Sequence, residues 1–285
     1  MIDYDRHRWL SLITRFSGSV VPMLVPRISI AVAIGALAAW LQSARGAHIP
    51  PVAHTLIGVA LGLLLVFRTN ASYDRWWEGR RLLGTIVNRS RDLVRQLGAF
   101  LPGPEHAADR ADAARWIVAF YRLSTQALRG EDALELTGLR EDERATFTAS
   151  TQRPLGALSL LSRRLAALAS AGALTESRLM LLDANLTALM DALGGAERIV
   201  KTPIPFAYAQ HIKLFVVLFV FSAPFAMSDS MRWGTPVAAG ILALALFGID
   251  EIGVEIEDPF GYDPNDLPLD RIGATIEKST AELTR

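Results

Sequence analysis

The sequence of 285 residues contains no cysteine, few lysines beside its many arginines, and no net formal charge. Without cysteine the chain has no disulfides, no thiolate nucleophile and no cysteine-ligated zinc site. A net charge of zero provides no overall basic field for nucleic acid, so we expect no nucleic-acid partner. The first residues carry acids and lack an early apolar run, so we expect no cleavable signal peptide.

Alternation of polar and apolar residues, internal repeats and low-complexity tracts are also missing, and the apolar residues instead favour helices. Hydrophobic residues make up 51% of the chain and the mean hydropathy is +0.27. This composition is too apolar for an ordinary soluble domain and too polar for a chain that lies wholly in a membrane. We therefore expect an all-α protein with about half of its residues in lipid.

Four apolar segments approach the length of about 20 residues that a helix needs to cross a bilayer. They cover residues 20–41, 49–67, 204–227 and 235–249, and the last can continue to residue 256. Charged residues and prolines interrupt these segments or lie at their edges, which indicates helices that face other protein as well as lipid. The alternative is that some of them are buried helices of a soluble core.

Basic residues predict the orientation of these spans. The first 27 residues carry four arginines and the stretch 68–213 carries twenty lysines or arginines, whereas the loops 42–48 and 228–234 carry one arginine each. Basic residues near the ends of membrane helices remain on the cytoplasmic side. We therefore expect both termini and the long middle region in the cytoplasm, with the two short loops outside.

The middle region has the pattern of a helical bundle. Residues 113–128 and 155–168 are predicted helices, and Leu179, Leu182, Leu186, Leu189 and Leu193 form one narrow apolar seam at spacings of three and four. Breaks are predicted at Pro102 to Pro104, Gly130 and Gly138. We expect this bundle to be continuous with the second membrane helix.

Val59, Leu63 and Phe67 are spaced four residues apart, so they lie along one face of the second membrane helix. If copies of the helix surround an axis, these side chains form three apolar rings. Such rings gate ions by dewetting, because an ion must lose water where no polar group replaces it. The alternative interpretation is an ordinary packing or lipid-facing stripe.

Three motifs carry a resemblance to a known family. Phe67 stands eight residues before Arg75-Trp76-Trp77, residues 198–208 contain Thr202-Pro203-Ile204-Pro205, and residues 257–261 read Glu-Asp-Pro-Phe-Gly. In this order the motifs resemble the bestrophin ion channels, and the last is typical of the bacterial branch. The likeness spans about residues 15–270.

The resemblance implies a homopentameric ring around one axial pore in a bacterial inner membrane. Val59, Leu63 and Phe67 correspond to the hydrophobic neck, and Ile204 corresponds to the cytoplasmic aperture. The expected regions are an amphipathic cytoplasmic N-terminus (1–19), membrane helices 1 and 2 (20–69), a cytoplasmic helical bundle (70–203), membrane helices 3 and 4 (204–256) and an acidic cytoplasmic segment (257–285).

The resemblance implies passive conduction of monovalent ions, and the sign of these ions has two interpretations. Part of the bacterial branch prefers cations, and the acidic residues Asp250, Glu251, Glu255, Glu257 and Asp258 would attract cations if they faced the pathway. The family at large conducts chloride and related anions. The acids are otherwise a solvated rim or a set of caps and ion pairs. They lack the consecutive run of the calcium clasp of animal bestrophins.

We expect no enzymatic activity, no cofactor and no bound metal. Two functions of other classes remain open: a metal-dependent membrane enzyme that uses the carboxylates of residues 250–270, and a non-conducting membrane scaffold. Arg68, Asp74, Arg75 and Glu78 lie at helical spacings that predict ion pairing along the second helix, except between Asp74 and Glu78.

Overall fold

The computed structural model describes residues 2, 4, 5, 7–132 and 139–283, and nearly all of them are helical or lie in short connections. The described residues form the α-helices α1 (Trp9–Ile13), α2 (Val21–Arg45), α3 (Pro51–Phe100), α4 (Ala107–Arg129), α5 (Glu141–Ala149), α6 (Arg153–Ser170), α7 (Glu176–Lys201), α8 (Phe206–Met231), α9 (Thr235–Glu255) and α10 (Leu269–Leu283). These residues contain no strand, so the predicted all-α class is confirmed.

The chain divides into two compact units, and α3 contributes residues to both. The first unit comprises Met1–Trp76, Pro203–Pro259 and Asp263–Asp266, and the second comprises Trp77–Thr202, Phe260–Tyr262 and Leu267–Arg285. Because α3 runs unbroken for 50 residues, the second apolar segment is the start of a longer helix, as predicted.

In the first unit, α2, α8 and α9 pack against one another and against the first half of α3. Their buried apolar side chains form one cluster: Leu24, Ala31, Leu61, Leu65, Ile212, Val216, Val220, Ala243 and Phe247. A Cβ atom at Gly35 would lie 2.8 Å from the Cα atom of Pro236. Glycine is therefore required where α2 approaches α9, as is common between membrane helices.

In the second unit, α4 and α6 pack together and α7 and α10 cover them. The predicted seam on α7 is confirmed, because Leu182, Leu186, Leu189 and Leu193 are buried and Leu179 is partly buried. The helix α4 ends at Gly130, which has a φ of +69°, a conformation that glycine adopts without strain. The break predicted at Gly138 lies outside the described residues.

Four stretches are long and apolar enough to cross a membrane by length and composition: Val21–Arg45, Pro51–Phe100, Glu176–Lys201 and Phe206–Glu255. This set differs from the four predicted segments in two ways. The third and fourth segments, now α8 and α9, join in the single stretch Phe206–Glu255 with a short 3-10 turn between them. The helix α7 is an addition, and its apolar seam is buried inside the second unit.

Candidate functional site

The first half of α3 has one face that its own chain leaves uncovered. Val59, Leu63 and Phe67 are exposed by 72%, 56% and 55%, respectively. Of the four apolar stretches, the one in α3 is the least buried. A row of large apolar side chains of this kind is stable only against lipid or another protein chain. The structure therefore places all three predicted neck residues on one open apolar face.

The opposite face of α3 holds a buried ionic cluster. Arg68 is 2% exposed and its guanidinium donates to the carboxylate of Asp250, which is 4% exposed. The Lys213 Nζ atom donates to the second oxygen of Asp250 at 3.0 Å. Glu257 lies 3.9 Å from the guanidinium of Arg68. Two cations and two carboxylates therefore neutralise one another inside the first unit.

The local ion pair predicted for Arg68 along α3 is wrong. Arg68 pairs with Asp250 on α9, and the Arg75 Nε atom donates to the backbone oxygen of Glu257 at 2.9 Å. Both arginines therefore hold α3 to the end of α9 and the residues that follow it. A sequence signal for this was available, since charges at the edges of apolar segments pair with one another across neighbouring membrane helices.

The acidic residues 250–258 are engaged within the chain. Glu251 accepts a hydrogen bond from the Arg27 Nη1 atom at 2.7 Å, and Glu255 accepts one from Asn265 at 3.1 Å. Glu257 accepts one from the backbone N–H of Ile204 at 3.1 Å. The structure thus brings four members of the predicted cluster into ion pairs and hydrogen bonds. This arrangement agrees with the alternative interpretation of the sequence, a set of caps and ion pairs. Asp258 is exposed.

Ile204 lies in the short connection between α7 and α8, and it is partly buried. Its backbone N–H is the group that Glu257 holds, so this connection is tied to the residues that follow α9. The side chain of Ile204 is not part of the open apolar face on α3. The two predicted constrictions therefore differ in kind: one is an exposed helix face and the other a tethered loop.

Asp266 is another buried carboxylate, and no ion pair with a cation is found for it among the residues that the structure describes. It is 2% exposed, its Oδ2 atom accepts from the backbone N–H of Asp263 at 2.7 Å, and its Oδ1 atom is buried without a partner in the described structure. Burial raises the pKa of Asp266 to about 6, the Asp263 hydrogen bond opposes this rise, and the carboxylates of Asp263, Asp258 and Glu255 add to it.

The alternative of a metal-dependent enzyme requires a group of ligands. Among residues 2, 4, 5, 7–132 and 139–283, no set of three histidine, aspartate or glutamate side chains is grouped closely enough to hold a metal ion. Most carboxylates of the 250–270 region instead form the hydrogen bonds and ion pairs described above.

Comparisons with known proteins agree with this architecture. The sequence model of the family of bacterial and fungal bestrophin proteins matches residues 1–282 of this chain. A voltage-dependent anion channel-forming protein of Nostoc sp. is 36% identical over 98% of this chain and 92% of its own length. One from Ralstonia nicotianae is 33% identical over 99% and 94%, respectively.

A solved structure supports the same assignment. The crystal structure of a bacterial bestrophin homologue from Klebsiella pneumoniae has a TM-score of 0.86 and 32% sequence identity, and the match covers 91% of this chain and 98% of that chain. The family model, the curated relatives and the solved structure therefore agree over nearly the whole chain. This chain is a membrane protein of the bacterial and fungal bestrophin family.

Proposed function

We propose that this protein is an ion channel through which monovalent ions pass passively along the axis of a homopentameric ring. The observation that carries the proposal is the open apolar face of α3 formed by Val59, Leu63 and Phe67. One such face cannot enclose a pathway, whereas a symmetric ring of copies can. The names of the relatives, which describe channel-forming proteins, support the same function.

The three side chains span about 12 Å along α3 at 1.5 Å per residue. In a ring they form three successive apolar constrictions, and an ion that enters must lose water without a polar replacement. The neck therefore opposes conduction by dewetting, and small changes in its width change the ion flux strongly. Ile204 is the proposed second constriction, at the cytoplasmic aperture.

The proposed layout places α2, the first half of α3, α8 and α9 in the inner membrane of a bacterium, with both termini in the cytoplasm. In this layout α7 belongs to the cytoplasmic bundle, because its apolar seam is already covered within the second unit. The partners are then lipid, monovalent ions and further copies of the chain. The two short outer loops carry few basic residues, which supports this orientation.

We infer a preference for monovalent cations. The cluster from Asp250 to Asp258 is a weak source of that preference, because its members are largely paired within the chain. Conduction of anions is the second candidate, and the names of the relatives, which specify anion channels, favour it.

Purified protein tests the proposal in two steps. Light scattering in mild detergent should give the mass of a pentamer, and liposomes that contain this pentamer should release potassium chloride down its gradient. A second sample with Ile204→Ala should release the salt faster if Ile204 forms a constriction. A stable monomer would contradict the ring, and intact rings without flux would favour the scaffold.

A further inference from the structure

The open face of α3 continues past the neck to a carboxylate. We propose that Asp74, repeated around the ring, selects cations over anions at the cytoplasmic end of the neck. This inference rests on the proposed function, because a ring of Asp74 exists only if copies of α3 surround an axis. It assigns the selectivity to a residue outside the acidic cluster of residues 250–258.

Helical geometry places Asp74 in line with the neck. Each residue of an α-helix advances by about 100°, so Asp74, seven residues after Phe67, lies about 20° from it around the helix and about 10 Å further along the axis. Asn70 lies between them on the same face. Both Asn70 and Asp74 are exposed, like the three neck residues.

No basic residue of the sequence from 59 to 74 lies on the open face beside Asp74. Arg68 is the only basic residue between positions 59 and 74, and it is buried on the opposite face beside Asp250. The next basic residue, Arg75, is partly buried, and its Nε atom donates to the backbone oxygen of Glu257 at 2.9 Å, so its side chain is engaged with the residues that follow α9. Asp74 is exposed, and no ion pair or hydrogen bond of its side chain occurs among the described residues.

The local electrostatics then favour one sign. The buried cluster around Arg68 is neutral, since two cations and two carboxylates compose it. The exposed carboxylate of Asp74 is then the first charge that the open face of α3 presents beyond the neck in each copy. Such a ring raises the local concentration of cations and lowers that of anions, and low-dielectric walls strengthen the effect.

The test is the reversal potential of pentamers in a planar bilayer under a potassium chloride gradient, from which the ratio of potassium to chloride permeability follows. Asp74→Asn keeps the size of the side chain and removes its charge. Asp183→Asn is the matched control, because Asp183 is an exposed carboxylate of α7 and lies off the face of α3. If the neck of the unmodified protein passes too little current to measure, the permeability ratios are compared in proteins that all carry Leu63→Ala, which widens the proposed neck.

We expect Asp74→Asn to lower the permeability ratio about tenfold or more, within the range that charged pores impose on local ion concentration. Asp74→Lys should lower it further, and Asp183→Asn should leave it unchanged. A conducting Asp74→Asn pentamer with the ratio of the unmodified protein would overturn the inference, and so would an unmodified channel that prefers chloride. Either result leaves the channel proposal intact, whereas intact rings without current in both backgrounds would overturn the channel itself.

Discussion

Leu61 and Leu63 are two positions apart on α3, yet the first is 1% exposed and the second 56%. The buried face that holds Leu61 also holds Arg68, and the open face that holds Leu63 is apolar. A helix at the surface of a soluble protein shows the reverse arrangement, with charge outside and apolar side chains inside. The inversion shows that the surroundings of this half of α3 are apolar and that its charge must be neutralised from within.

The largest effect is expected at the charged residue of the buried face. Arg68→Ala leaves the carboxylate of Asp250 with Lys213 alone, in a site where both carboxylate and guanidinium are almost fully buried. Removing one partner of a buried pair costs about 3–5 kcal/mol of stability. Thermal unfolding of the purified protein in detergent should therefore begin at a much lower temperature.

Arg95→Ala is the matched control for this prediction. Arg95 pairs with Asp92 at 3.2 Å, and both side chains are exposed, so this pair contributes about 0–1 kcal/mol. If the two variants unfold at the same temperature, the buried cluster is not what holds α3 to α9. The variant that combines Arg68→Ala with Asp250→Asn tests the coupling of the pair. If the two residues are coupled, this variant should lose less stability than the sum of the losses of the two single variants.

The sequence predicted the helices and the face of α3 well, because both follow from spacing within one segment. The seam on α7 and the stripe from Val59 to Phe67 are local patterns with a period near 3.6. Each needs no knowledge of what lies opposite. For the same reason, the three short motifs were enough to identify the resemblance to bestrophins. Recognising each motif requires no knowledge of which distant elements contact one another.

The partners of the charged residues could not be predicted in this way. Arg68 and Asp250 are 182 positions apart, and Arg27 and Glu251 are 224 positions apart. The spacing of residues on a helix gives the face but not the element that packs against it. From the sequence, the acidic residues 250–258 therefore suggested a surface that attracts cations, whereas the structure pairs most of them within the first unit.

Replacing leucine with alanine should affect stability on the buried face of α3 and conductance on its open face. Leu61→Ala removes a buried side chain of the first unit, and such changes cost about 2–5 kcal/mol of stability. Leu63→Ala removes an exposed side chain, so it should change stability little while it widens the proposed neck and raises the single-channel conductance. Thermal unfolding and bilayer recording on the same two proteins check both outcomes. Equal destabilisation with unchanged conductance would show that both leucines are packing residues.

The smallest expected effect is the dependence of stability on pH that arises from the buried carboxylate of Asp266. Burial raises the pKa of Asp266 to about 6 from the ordinary 3.8. The folded state therefore binds this proton more tightly than the unfolded state, so the contribution to stability is complete below about pH 4 and is lost as the pH rises through about 6. The unfolding temperature should fall across this window, and Asp266→Asn should remove the fall because its amide stays neutral.

Asp263→Asn sharpens the test, because it removes a neighbouring negative charge while Asp266 remains. The pKa of Asp266 should drop, and the fall in unfolding temperature should move to lower pH. If the unmodified protein and Asp266→Asn show the same dependence on pH, another group titrates in this window.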